Sequence, residues 1–305
     1  MIIKAKAVCM TALASLVLAG PACGGDTFDV AVTVDDLPAH GKLPPGMTRV
    51  GIAASHLAAF KAHGVAQAFG FVNAAGIGAE PGSEAVLDLW RTHGHPLGNH
   101  TFSHMNLEHA PSLAAWQADV AAGEPAVAAK MAGAHWRYLR YPFLNAGAAR
   151  QDGALAWLRA RGYRIADVSL SFGDWAYTDA YARCVATGDA AAIARMKAHY
   201  LDEVDTGIAR MKAESMRVFG RIIPQVLLTH IGGWSAATLP DVLARLDAAG
   251  ARYVGLDQAQ SDAAYAAPGG GTVIARVAAQ QGIVLQETNG TGRALQQRDI
   301  EALCR

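Results

Sequence analysis

Two histidines four positions apart and two adjacent aspartates are the residues of this chain whose types and spacing bear most directly on chemistry. In His100-Thr-Phe-Ser-His104 the imidazoles stand at i and i+4, and a helically turned loop would set both on one side, within reach of one cation. Asp35-Asp36 end the β-branched run Asp29-Val-Ala-Val-Thr-Val34, and Leu37-Pro38 stops it. Neighbouring side chains at a strand end diverge, so one carboxylate can ligate an ion while the other stays free to take a proton from water. Two imidazoles and one carboxylate with open positions form a common catalytic arrangement for zinc or another divalent first-row ion. Three more polar groups follow short apolar runs: Arg140 in Arg140-Tyr-Pro-Phe143, Asp174 beside Trp175, and His230 at the end of Gln225-Val-Leu-Leu-Thr-His230. Each alone also has a plain structural reading. The acids can be a solvated turn or helix caps, Arg140 a surface ion-pair partner, Trp175 and Leu228 core, and His230 a core histidine bonded to backbone.

The elements that must position these groups alternate along the chain. Residues 55–63 read as a capped amphipathic helix and Ala68–Val72 as a buried strand. Ser83–Thr92 reads as a helix, Pro96–Asn99 as a short strand, Leu113–Met131 as a long Ala-rich helix, and Tyr138–Tyr141 as a strand. The pattern returns with a helix at 150–161 and a strand at Tyr163–Val168. After the strand at 225–230 come a helix from about 238 to 249, Gly250 as its cap, and a last strand at Arg252–Leu256. Strands alternating with helices predict a mainly parallel sheet or barrel. In such folds, working groups gather at the C-terminal ends of the strands, which is where every polar residue singled out above falls. Residues 180–220 interrupt the alternation with a helical insertion rich in Ala, Met and Arg. Beyond Pro268-Gly-Gly-Gly271 the tail holds one helix and a polar end.

With 305 residues, 52% of them hydrophobic, the chain can bury a large core in one domain with a tail. Twenty-six basic and 26 acidic residues give zero formal charge with no basic cluster, which excludes a nucleic-acid or anionic-membrane footprint and fits a neutral substrate. Lys4 and Lys6, an apolar stretch from Ala7 to about Ala19 and the small residues Gly20-Pro21-Ala22 have the layout of a secretory signal peptide, too short for a normal membrane span. The expected organisation is therefore an export signal at 1–22, a catalytic domain at 23–260 and a tail at 261–305 packed on it. The mature chain would be periplasmic or secreted, with no integral membrane span. Cleavage there leaves Cys23 near the new N-terminus, but Gly20-Pro21-Ala22 is a poor match to a lipidation pattern. The four cysteines show no CxxC spacing; in an oxidising compartment Cys184 and Cys304 can pair and pin the tail to the body.

In chain order, Thr33-Val-Asp-Asp-Leu-Pro38, His100-Thr-Phe-Ser-His104, Arg140-Tyr-Pro-Phe143, Asp174-Trp175 and Leu228-Thr-His230 resemble the motifs of the polysaccharide deacetylases, carbohydrate esterase family 4. The likeness runs from about residue 28 to 257 and leaves the helical insertion and the tail outside it. It implies a distorted (β/α) barrel of the polysaccharide deacetylase type and one divalent metal ion, zinc or else cobalt, nickel or manganese, bound by Asp36, His100 and His104. By the same resemblance Asp35 is the general base, oriented by Arg140. His230 is the general acid, held protonated by Asp174, since a nearby carboxylate favours the imidazolium. Phe143 lends its backbone N–H to the oxyanion, and Trp175 and Leu228 line the slot for the acetyl methyl. The implied reaction is N-deacetylation of N-acetylglucosamine-type sugars, with a carbohydrate as the partner. Activated water, oxyanion support and a proton for the nitrogen then suffice without a covalent intermediate. No Gly-x-Ser-x-Gly elbow surrounds Ser103.

The departures from the family pattern lie around these groups. Val34 and Leu37 stand where Phe and Gly are usual, Tyr141 and Leu144 replace a second Pro and a closing Gly, and Ile231-Gly-Gly follows His230 in place of an acid. They alter the rim and keep the reacting groups. Two neighbouring readings therefore stay open: a metal-dependent hydrolase of another, cyclic amide, and a non-enzymatic carbohydrate-binding protein on the same fold.

Overall fold

The computed structural model describes residues 27–80, 82–285 and 297–305; the expected export signal and Cys23 lie outside them. Among the described residues the strands are β1 (Phe28–Leu37), β2 (Ala68–Val72), β3 (Leu97–Asn99), β4 (Tyr138–Leu139), β5 (Arg164–Ile165), β6 (Leu170–Ser171), β7 (Gln225–His230) and β8 (Ala251–Tyr253). The helices include α1 (Arg49–Ala62), α2 (Glu84–Thr92), α3 (Leu113–Lys130), α4 (Gln151–Ala160), α5 (Thr178–Thr187), α6 (Ala190–Phe219), α7 (Gly233–Ala248), α8 (Leu256–Ala259) and α9 (Val273–Gln280), and residues 297–302 are helical as well, so the tail holds more than the one helix expected.

Among the described residues every strand pairing is parallel, in the order β5-β4-β3-β2-β1-β7-β6, with β8 added beside the first residues of β1. The two edge strands, β5 and β6, are separated in sequence only by residues 166–169. In a flat sheet six steps of about 4.8 Å would set those edges roughly 29 Å apart. The five steps from Ile165 to Leu170 span at most about 18 Å. The sheet therefore has to curl, and the result is the distorted (β/α) barrel expected from the sequence. Thr272 bridges to Val168 in the remaining gap. β1 is an interior strand, buried along nearly all of its length, which accounts for its largely apolar, β-branched run.

The structure departs from the sequence reading at several element bounds. The run Tyr163–Val168 joins the ladder with β4 only at Arg164–Ile165, and Val168 makes just its isolated bridge to Thr272, because the chain must leave the ladder there to cross from one edge to the other. α1 starts earlier than expected, at Arg49, where the Thr48 hydroxyl accepts the Gly51 N–H at 3.0 Å. α7 starts at Gly233 and carries Pro240 inside it, since Gly232 is extended and its N–H is taken by Ser235 Oγ at 3.1 Å. The helical insertion is two helices, α5 and α6, broken at Gly188 with φ 70°.

Aromatic packing holds α5 and α6 on the barrel. Trp234 of α7 stacks on Tyr177 with ring centroids 5.0 Å apart and meets Tyr181 and Tyr200 edge-on at 5.7 and 5.5 Å. The tail reaches the body through an Arg276–Asp167 ion pair of 3.0 Å and through Arg183, which donates to the carbonyls of Glu301 and Leu303 at 2.8 and 3.1 Å. A disulfide joins Cys184 of α5 to Cys304, 120 residues on. Cutting so long a loop from the unfolded state's constraints is expected to cost about 2–4 kcal/mol of stability. Denaturant unfolding of Cys304→Ala without reductant should show that loss, and reduced wild type should match it; an unchanged midpoint would leave the tail held by Arg183 and core packing alone.

Candidate active site

β1 delivers both acids, but not as extended backbone would. Its pairing with β2 shifts register between Val34 and Leu37, and Asp36 sits at φ 66°, in the left-handed region. The carboxylates consequently converge instead of diverging. His100 Nε2 lies 3.6 Å from Asp35 Oδ2 and 3.5 Å from Asp36 Oδ1, and His104 Nε2 lies 3.6 Å from the same Asp36 oxygen. The histidine loop is not helical either. Thr101 and His104 both have positive φ, and the loop is pinned to α3 by Asp119, whose carboxylate accepts Ser103 N–H at 3.1 Å and Ser103 Oγ–H at 2.8 Å. The imidazoles meet edge to face, 4.9 Å between centroids.

One ligand atom from each of Asp36, His100 and His104 falls within 4.8 Å of the others, close enough for one metal ion. The donor chemistry fits a cation on three further counts. His100 Nδ1 lies 2.8 Å from the Arg140 carbonyl, which only accepts, so the N–H is there and the Nε2 lone pair faces the cluster. Burial and the neighbouring His100 push His104 down to about 4, leaving it neutral at pH 7 with a free lone pair. Burial alone would raise Asp36, but the hydrogen bond from His40 and the proximity of His100 and His230 hold it well below the usual carboxylate range.

Asp35 belongs to a different network. Arg140, fully buried just after β4, donates from Nη1 to both Asp35 oxygens at 3.1 and 3.2 Å, from Nη2 to Thr33 Oγ1 at 2.9 Å and from Nε to the Ala166 carbonyl at 2.7 Å. On the other side of the cavity His230, the last residue of β7, sits against Asp174. The Asp174 carboxylate meets His230 Nδ1 at 2.9 Å and accepts the His230 backbone N–H and the Thr229 hydroxyl, both at 2.7 Å. Burial opposes charge on this ring, yet Asp174 prevails and raises it to about 9. Two of the site's imidazoles are thus held in opposite states, His104 neutral and His230 charged.

A cavity of about 850 Å³ opens over the cluster. Leu228 lines it from β7, while Phe143 and Trp175 are exposed at its mouth, Phe143 with φ 58°. Every residue picked out from the sequence for chemistry is therefore brought to one place, whereas the Cys184–Cys304 bridge stands on α5 and the tail. Two residues were missed. Asn73 Nδ2 donates to Asp36 Oδ1 at 2.6 Å, and His40 Nδ1 bonds Asp36 Oδ2 at 2.7 Å with its ring 4.8 Å from that of His230. Asn73 directly follows β2, so the strand-end rule that found the others applied to it as well. His40 has no such signal, lying beyond the turn that Pro38 begins.

Because its folded-state value is raised above the free value of 6.5, the His230–Asp174 pair adds stability that is full below about 6.5 and is lost as pH rises through about 9. Asp174→Asn removes the attraction and keeps the burial. Imidazole NMR titration of the metal-free variant is expected to show His230 losing its proton at least two pH units below wild type; an unmoved midpoint would take Asp174 out of that role.

Residues 25–165 match the family model described as Polysaccharide deacetylase. No curated protein matches the chain. The chitin deacetylase of the fungal pathogen Colletotrichum lindemuthianum is 20% identical, with a TM-score of 0.54 over 78% of this chain and 89% of that one. A polysaccharide deacetylase from Bacillus cereus is 17% identical, with a TM-score of 0.52 over 75% and 91%. A pseudoenzyme of carbohydrate esterase family 4 from Bacillus anthracis is 12% identical, with a TM-score of 0.52 over 77% and 66%. Identities this low speak for the fold, which enzymes and a pseudoenzyme share, so activity has to be argued from the residues. Residues 25–165 thus carry the match to the polysaccharide deacetylase family, and the chain shares its barrel with named deacetylases over three quarters of its length.

Proposed function

We propose that the protein is a metal-dependent amide hydrolase that removes the acetyl group from N-acetylglucosamine-type sugars of an oligo- or polysaccharide. The observation that carries this reading is the convergence of His100 Nε2 and His104 Nε2 on Asp36 Oδ1, at 3.5 and 3.6 Å, with a second carboxylate, Asp35, 3.6 Å from the same His100 nitrogen. A divalent ion held by Asp36, His100 and His104, zinc by preference for two imidazoles and a carboxylate, supplies Lewis acidity toward the amide carbonyl and toward water. Asp35, fixed in place by Arg140, takes the proton of the attacking water. The backbone N–H of Phe143 supports the oxyanion. His230, charged at neutral pH through Asp174, gives its proton to the departing nitrogen. Trp175 and Leu228 flank the acetyl methyl, and the exposed faces of Phe143 and Trp175 suit a sugar ring. Retention of both a proton acceptor and a proton donor supports an enzyme over a binding protein, which needs neither. The named deacetylases among the similar structures support the substrate class.

Export is part of the same proposal. The layout of residues 1–22 and a disulfide between Cys184 and Cys304 both support an oxidising, extracytoplasmic setting. Fractionation of producing cells should find a chain without residues 1–22 outside the cytoplasm; a full-length cytoplasmic product would refute it.

Chelation is expected to abolish acetate release from N-acetylchitooligosaccharides, and added zinc to restore it. Asp35→Asn should keep the metal by elemental analysis while kcat falls about 10²- to 10⁴-fold, and His230→Ala should lose a similar factor. A fully active Asp35→Asn would remove Asp35 from the base role. Metal-loaded wild type that releases no acetate but opens cyclic amides would move the reading to that class, and inactivity on both would favour a binding protein.

A further inference from the structure

The family match ends at residue 165, yet the cavity over the reacting groups is walled largely by what comes after it. Its floor beyond Leu228 is β6, which pairs with β7 so that Ser171 stands opposite Leu228 and Leu170 opposite Leu227. From there the lining continues through Leu170 to Met211 on α6 and to Ile274 and Ala275 on α9. The cluster thus opens into a chamber of about 850 Å³, near the top of the roughly 300–1,000 Å³ that encloses a whole small molecule. An acetyl methyl needs only a fraction of that space.

This wall is built rather than incidental. α6 is pressed against the barrel at Gly207, where a Cβ would meet the Phe172 ring at 3.0 Å, so no larger residue fits without displacing it. α9 packs on α6 and is tied to the barrel by the Arg276–Asp167 pair. α6 also adds Arg210 and Glu214 to the lining, residues of opposite charge one turn apart on the helix. Apart from Thr272, which caps α9, the remainder of the α6–α9 side is apolar and continuous with the reacting cluster.

We propose that the substrate is amphiphilic: an apolar group of several carbons, attached next to the scissile amide, lies between β6, α6 and α9. The inference rests on the amide-hydrolase reading and refines its substrate class, away from an extended, wholly polar glycan. The apolar group can belong to the acyl part or to the amine-bearing part of the substrate, and both present the same chemistry to Met211, Ile274 and Ala275.

Two substrate series test it with zinc-loaded wild type. One is N-acylglucosamines from acetyl through butanoyl to hexanoyl; the other is N-acetylglucosamine glycosides from methyl through hexyl to octyl. Burial of each methylene is worth about a fourfold gain. kcat/KM is therefore expected to climb at least tenfold from the shortest to the longest member of one series, and the series that climbs identifies the part that carries the apolar group. Ala275→Trp, at an exposed position on the lining, should fill the chamber and erase the climb, bringing the ratio of kcat/KM between the longest and the shortest member to about one; Met211→Gln should blunt the climb without added bulk. Flat or falling kcat/KM in both series, with acetylated sugars still hydrolysed, overturns the amphiphile and leaves the deacetylase standing. If no member of either series is hydrolysed, the amide-hydrolase reading falls and takes this inference with it.

Discussion

A guanidinium with no access to solvent, braced against a carboxylate, is the constraint from which the rest of the site follows. Arg140 follows β4, yet it bonds to Thr33 and Asp35 on β1 and to the Ala166 carbonyl in the crossing between the sheet's two edges. Its own carbonyl fixes the His100 ring, and its guanidinium lies 4.7 Å from the centroid of Phe71 on β2. One side chain thus ties the curl of the sheet to the placement of Asp35 and to the orientation of the His100 ring. Removing one partner of such a buried pair strands the other charge, at a cost of about 3–5 kcal/mol. The pair therefore stabilises the protein only as a complete network, which is the same condition that keeps Asp35 pointed at the cluster.

Around that network, burial and charge are arranged so that like groups behave differently. His104 and His230 line one cavity. Burial and His100 keep the first neutral, whereas Asp174 overcomes burial and keeps the second protonated. Asp36 holds its charge against burial because His40, His100 and His230 face it. A neutral imidazole and a protonated one are thereby present together in one cavity at neutral pH, and each state arises from a named neighbour.

Much of this was legible in the chain itself. The alternation of strands with helices fixed the architecture, and polar residues at strand ends located the cluster, because in a parallel barrel those ends share one face. What was not legible depends on backbone that has no periodic signature. The register shift after Val34 and the left-handed Asp36 reverse the expected divergence of the two acids, and the histidine loop reaches its geometry through two positive φ angles instead of a helical turn. The short β6 escaped notice because two residues between a sheet crossing and a turn carry no pattern, and its existence shows only through pairing with β7. His40 likewise comes into contact with Asp36 only once the chain has turned after Pro38. The wall made by α6 and α9 is a tertiary fact that neither helix announces.

The Cys184–Cys304 bridge makes a covalent ring of everything between its ends. That ring contains β7 with His230, as well as α6, α7, β8 and α9. A peptide bond broken anywhere from residue 185 to 303 would open the ring, but it would not release either fragment. A nicked molecule would hold His230 and its cavity walls beside the barrel, so survival of the fold need not depend on an uncut backbone.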